Sequence, residues 1–148
     1  MELVYYEDIQ LNEKETLGDY LIDRDEAVEF AKKWDPQLFH IDEEAAKSFP
    51  TNGLIVSAMY TMSVITLLGV TKDTQIANLA GLGLENIRFP IPIRPGDRIT
   101  ISGQVIEKRE SKSRPDAGIV RSATEVKNQN GAICFTLESV NLVAKRPK

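Results

Sequence analysis

A single cysteine, Cys134, and a single histidine, His40, are all the thiol and imidazole in this chain of 148 residues. The lone thiol excludes an internal disulfide. One ligand of each kind also excludes the usual structural zinc sites, which take four. No structural zinc is expected, and a reducing, cytoplasmic setting follows. A basic excess is missing too, since 18 Lys and Arg stand against 22 Asp and Glu for a net charge of −4. That balance excludes the phosphate-neutralising stripe of a nucleic-acid surface. Long hydrophobic runs are also absent. The longest, Leu54 to Val70, is interrupted by Ser57, Thr61, Ser63, Thr66 and Gly69 and falls short of the ~20 apolar residues of a membrane span. The opening residues MELVYYEDIQLNEKE carry acids where a signal peptide has its basic and apolar regions. The expectation is a soluble protein in which residues 1–148 form one domain with a real core.

What is present reads as alternating texture. ETLGDYLI, residues 15–22, has the look of a first strand weakened by Gly18. Asp23 with Glu26 three positions later fits a capping box. Ala27, Val28, Phe30, Ala31 and Trp34 then recur at helical spacing. Pro36 pushes Asp35 out of helical geometry and should end that helix. Asp42 is positioned to cap a second short helix over 43–47, with Pro50 closing it. From Leu54 to Leu68 the apolar residues cover every side of a helical wheel, so the spacing predicts a helix buried on most sides. After Thr71 strands dominate. Prolines 90, 92 and 95 mark an edge or crossover, Ile99, Ile101, Gly103 and Val105 alternate with polar residues, and NQNG predicts a tight turn before the last strand. One buried helix against a curved antiparallel sheet is an α+β solution that leaves an edge and a flank uncovered, which predicts pairing with a second copy.

The chemistry concentrates in WDPQLFHIDEEA, residues 34–45, where His40 follows Asp35 by five positions. Read singly, Asp35 is an Asp-Pro turn former and His40 a satisfied, partly buried imidazole between Phe39 and Ile41. Together on a short irregular connection they can move a proton to and from water. A helix C-terminus at Asp35 should disfavour its charged form, and a helix N-terminus after His40 should disfavour imidazolium, though Asp42, Glu43 and Glu44 oppose the second effect. Lys108, Arg109, Lys112 and Arg114 flank a hairpin loop and read as a solvated face or as partners for phosphates. Cys134 sits in a strand pattern as a small core residue.

FAKKWDPQLFHIDEEAA, followed by GLIVSAMYT, GLGLENIRFPIPIRPGD and the hairpin around SKSRPDAGIV, resembles the MaoC-like dehydratases. That family has the hotdog fold and includes the (R)-specific enoyl-CoA hydratases, and the resemblance runs nearly the length of the chain. It implies that Asp35 and His40 hold a catalytic water in a hydro-lyase. The reaction adds water to a trans-2-enoyl thioester to give a (R)-3-hydroxyacyl thioester, or reverses it, with no cofactor. The acyl group would be carried by coenzyme A or a carrier protein, and the enzyme would be a homodimer or a larger assembly of dimers. The thioester carbonyl would take a hydrogen bond from the backbone N–H of Ala58, where the family usually has glycine. From the residues themselves, Ser57 is a candidate contact to the acyl chain or the water network, with bonding to its own helix backbone as the alternative. Two rivals stand. A hotdog thioesterase needs a carboxylate on the buried helix, and residues 54–68 contain none. A non-catalytic acyl-binding or partner subunit is favoured by the alanine at 58.

Overall fold

The computed structural model describes all of residues 1–148. In chain order the elements are β1 (Glu2–Val4), a 3-10 turn (Tyr6–Asp8), β2 (Glu15–Leu21), α1 (Arg24–Trp34), α2 (Leu38–Ile41), α3 (Glu43–Ala46) and α4 (Ala58–Val70). β3 (Thr74–Ile76), β4 (Asn78–Arg88), β5 (Arg98–Glu110), β6 (Ala117–Lys127) and β7 (Ile133–Ala144) follow. The main sheet is antiparallel in the order β2-β5-β6-β7-β4, and β1 and β3 form a separate parallel pair. Register shifts in β2, β4 and β5 curl the sheet, because a bulge bends its strand and increases the local twist. The concave face receives α4: Val56, Tyr60 and Val64 pack with Ile99, Ile101, Val126 and Phe135. This is the hotdog fold, α+β, as expected. Cys134 is buried in the same core, and no helix is long and apolar enough to cross a membrane.

The local signals explain most boundaries. The Asp23 carboxylate accepts from the Glu26 N–H at 2.8 Å, and α1 ends with Asp35 as its C-cap. The capping box closes on that side only. The Glu26 carboxylate instead accepts from the Tyr60 hydroxyl at 2.5 Å and the Tyr20 hydroxyl at 2.6 Å, tying α1 to α4 and β2. Asp42 caps α3 through the Ala45 N–H at 2.9 Å. At NQNG the Asn128 side chain accepts from Asn130 and Ala132, and Gly131 takes the positive φ of 76° that the turn demands.

One expectation needs correction. The helix predicted over Leu54–Leu68 begins at Ala58. Residues 54–56 stay out of the helix because N–H groups here are drawn sideways, from Ile55 to the Phe39 carbonyl at 3.0 Å and from Val56 to the Ile93 carbonyl at 2.7 Å. As expected, α4 is buried or half-buried on most sides of the single chain, and what stays open is one stripe. Met59, Leu67 and Val70 are about half exposed or more, at 50%, 45% and 57%, on one stripe with Ser63 and Thr66.

The first residues, which carried no strand signal beyond a short apolar run, form a strap over the far end of the concave face. Tyr6 and Ile9 pack on Val105, Val120 and Val143. Lys108 donates to the Tyr6 and Ile9 carbonyls at 3.1 and 2.9 Å, with its ammonium 5.0 Å from the Tyr6 ring centre. A Cβ at Gly118 would meet ring atoms of Tyr6 at 2.2 Å. Gly118→Ala should therefore push the strap off the sheet and destabilise the protein by about 1–3 kcal/mol, read as a lower urea midpoint. Adding Tyr6→Ala should remove most of the extra penalty in a double-mutant cycle. Additive effects would show that the two residues do not compete for the same space.

Candidate active site

Asp35 and His40 meet because one proline stops α1 and one turn of helix follows. The Asp35 N–H still closes the helix on the Ala31 carbonyl at 2.8 Å. Pro36 then redirects the chain, and the His40 N–H bonds the Gln37 carbonyl at 2.8 Å to start α2. His40 thus lies within a helical turn and not on an irregular stretch. Its Nε2 stands 3.3 Å from Asp35 Oδ2, with side-chain exposures of 6% and 20%. On the other side of the ring, Nδ1 lies 2.8 Å from the Ile55 carbonyl oxygen. A carbonyl only accepts, so Nδ1 carries the proton and a neutral ring leaves Nε2 bare. The ring also rests edge-on against Phe39, with centroids 4.5 Å apart.

Each Asp35 oxygen has a donor. Gln37 Nε2 donates to Oδ1 at 2.7 Å, and the Ser57 hydroxyl donates to Oδ2 at 2.7 Å. Burial pushes the Asp35 carboxyl up, but these two hydrogen bonds and the neighbouring imidazole outweigh it and hold the carboxyl below the ordinary aspartate value. The upward shift expected from the helix C-terminus is therefore overturned. Direct hydrogen bonds to an ionised oxygen exceed the pull of a helix end, which is worth a fraction of a kcal/mol when partly exposed, about 0.3–1.

Ser57 joins the pair to α4. Its buried hydroxyl donates to Asp35 and accepts from the Met59 N–H at 3.2 Å as the N-cap. Sequence reasoning set Ser57 beside substrate, whereas its hydroxyl proton is committed to the carboxylate. Ala58 is the first residue of α4, and its N–H makes no hydrogen bond within the chain. A free amide at the positive end of a helix, one residue from the Asp35 partner, is a ready donor to a developing oxyanion. Thr66 bonds its own helix at the Met62 carbonyl, 3.0 Å away. Of the hairpin cations, Lys108 is consumed by the N-terminal strap, and Arg114 makes a bidentate pair with Asp116 at 2.9 and 2.7 Å. Gln37 and the Ile55 carbonyl were missed from sequence. Gln37, directly after the Asp-Pro corner and two residues from Asp35, carried a faint signal, since that spacing lets a side-chain amide reach back. The carbonyl carried none.

Because the Asp35 carboxyl is more acidic folded than unfolded, its charge stabilises the fold above the ordinary aspartate value, and that contribution is lost as pH falls through the lowered value. Asp35→Asn should therefore cost stability at neutral pH, with the gap in urea midpoint closing as pH drops below about 4. A gap unchanged down to about pH 2 would show that the charge is irrelevant. Ser57→Ala, which removes the cap and one carboxylate donor together, should cost about 1 kcal/mol at neutral pH.

Comparison with known proteins places this chain in a family. Residues 8–128 match the family described as MaoC like domain. A MaoC-like dehydratase from Rhodospirillum rubrum superposes with a TM-score of 0.89 at 30% identity, over 98% of this chain and 99% of that one. An (R)-hydratase from A. caviae involved in PHA biosynthesis superposes with a TM-score of 0.71 at 26% identity, over 94% and 98% of the two chains. The Bacillus subtilis protein YdeM is 26% identical over 126 residues, 84% of this chain and 87% of its own length. The chain belongs to the MaoC-like dehydratase family, whose members include hydratases and dehydratases.

Proposed function

We propose that this protein is an acyl-thioester hydratase/dehydratase that adds water to a trans-2-enoyl-CoA to give a (R)-3-hydroxyacyl-CoA, or runs the reverse. The observation that carries the reading is the 3.3 Å approach of His40 Nε2 to Asp35 Oδ2, with the remote ring nitrogen held by the Ile55 carbonyl. A water bonded to both groups would lie between the base and the acid that the reaction needs. In the hydration direction Asp35, already charged, takes a proton from that water while its oxygen attacks C3. His40, doubly protonated, delivers a proton from Nε2 to C2. Asp35 then returns its proton to Nε2, so the net change is one water added and both groups restored. The carboxylate and imidazole act as a coupled pair. As charge builds on the thioester oxygen, the free Ala58 N–H stabilises it.

The substrate carrier we assign is coenzyme A, with an acyl-carrier protein as the other arm of the test. A cytoplasmic setting goes with a free, buried Cys134 whose thiol burial pushes up to about 11, well away from disulfide chemistry. A homodimer goes with the exposed edge. β4 is the last strand of its sheet, and Leu79, Leu82 and Leu84 stand about half exposed along it. A long apolar edge of this kind stays soluble only when paired or covered. A second copy meeting β4 edge to edge would cover it and, in an isologous arrangement, the α4 stripe as well. We assign residues 1–148 to one hotdog unit of that dimer.

Purified protein with short trans-2-enoyl-CoA and enoyl-carrier substrates should lose the enoyl absorbance without releasing thiol. Free thiol would indicate a thioesterase. No turnover at any chain length, with substrate retained, would leave the partner-subunit reading that Ala58 favours. Asp35→Asn and His40→Gln should each lower kcat by roughly 10²–10⁴-fold, the usual worth of an acid or base. Leu79→Lys with Leu82→Lys should give a monomer in sedimentation equilibrium, and a dimer that survives both charges would place the interface elsewhere.

A further inference from the structure

We propose that Arg94 is a positioning residue that fixes the tautomer of His40 without touching it. The connection runs through the non-helical tripeptide Leu54–Val56. The peptide unit between Ile55 and Val56 is held at both ends: its carbonyl accepts from His40 Nδ1 at 2.8 Å, and its N–H donates to the Ile93 carbonyl at 2.7 Å. The preceding unit, between Leu54 and Ile55, is held in the same sense. Its N–H donates to the Phe39 carbonyl at 3.0 Å, and its carbonyl accepts from Arg94 Nη1 at 3.3 Å. The tripeptide is thus a narrow bridge, with the histidine segment on one side and the proline-rich crossover on the other.

The crossover is poor in backbone donors, because Pro90, Pro92 and Pro95 have no N–H. The guanidinium makes up the shortfall. Besides Leu54 it donates to the Thr51 carbonyl, so one planar group spans the loop that leads into Ser57. The space for it is built in. A Cβ at Gly53 would come within 3.2 Å of Arg94 Nη1, at a φ of 137° that glycine alone adopts freely. The root of the side chain is pinned as well. Asp97 Oδ2 accepts from the Arg94 N–H at 2.9 Å, and Gln129 holds the other Asp97 oxygen at 3.0 Å. With Arg94 in place the Ile55 carbonyl has one orientation, Nδ1 keeps the proton, and Nε2 faces Asp35.

This deepens the hydratase reading, yet one of its tests does not depend on that reading. His40 is the only histidine, so ¹⁵N-labelled protein gives a single imidazole in a long-range ¹H–¹⁵N correlation spectrum. At alkaline pH the wild type should show one neutral tautomer, protonated at Nδ1. Arg94→Met, which keeps the stem and removes the donors, should shift both ring nitrogens toward a mixture of tautomers. Its kcat for hydration should fall roughly 10- to 100-fold, as for a misplaced catalytic group, with KM changed by less than about threefold. Arg94→Lys, with one donor end in place of a fork, should lie between the two and carries the test if the methionine variant does not fold. Unchanged ring nitrogen shifts in a folded variant would overturn the proposal whatever happens to activity. Absence of hydration in the wild type, with the tautomer shift observed, would overturn the hydratase reading and leave Arg94 in its role.

Discussion

The hydrogen bond from His40 Nδ1 to the Ile55 carbonyl orders everything at the centre of this molecule. A neutral imidazole carries one proton on either of two nitrogens, and only the Nδ1 assignment leaves Nε2, the nitrogen beside Asp35, open to exchange a proton. To make that assignment, the fold keeps three residues ahead of α4 out of the helix and spends their polar groups sideways. The start of the helix at Ala58, and hence the place where its free amide appears, follows from the same constraint. Ser57 completes it by capping the helix with one side of its hydroxyl and holding Asp35 with the other.

Much of the architecture was legible in the sequence because it rests on short-range rules. Asp23, Asp42 and Asn128 each do what their position in a cap or tight turn requires. The meander of β5, β6 and β7 follows from period-two alternation. Asp35 and His40 were legible as a pair through their spacing and the resemblance that accompanied it. What escaped was set by contacts between distant segments. The first turn of the supposed helix at Leu54 was lost to carbonyls at Phe39 and Ile93, which no local propensity reports. The acidity of Asp35 escaped partly for a like reason, since beside the nearby Gln37 amide it draws on a serine 22 positions away.

The strap and the Tyr20–Glu26–Tyr60 cluster went unread on the same grounds. Tyr6 is placed by the absence of a side chain at Gly118, and Glu26 signalled a capping role that its carboxylate does not perform. In both cases a residue type suited to one local task is taken up by a partner that only the folded chain brings near. Sequence periodicity likewise could not show which side of α4 would lack cover. An all-apolar wheel says that burial is needed, not which neighbour supplies it.

The Glu26 cluster has a consequence for behaviour in base. Burial and the Glu26 carboxylate push the Tyr60 hydroxyl far above the ordinary tyrosine range. A phenol held neutral in this way lends stability below its unfolded value of about 10 and withdraws it as the solution becomes more alkaline. The joint between α1, α4 and β2 is thus a latch that loosens in alkali, and the ultraviolet absorbance of phenolate would lag behind the pH until the joint opened. Of the chain's four tyrosines, this one would report the integrity of the fold through the delay in its colour.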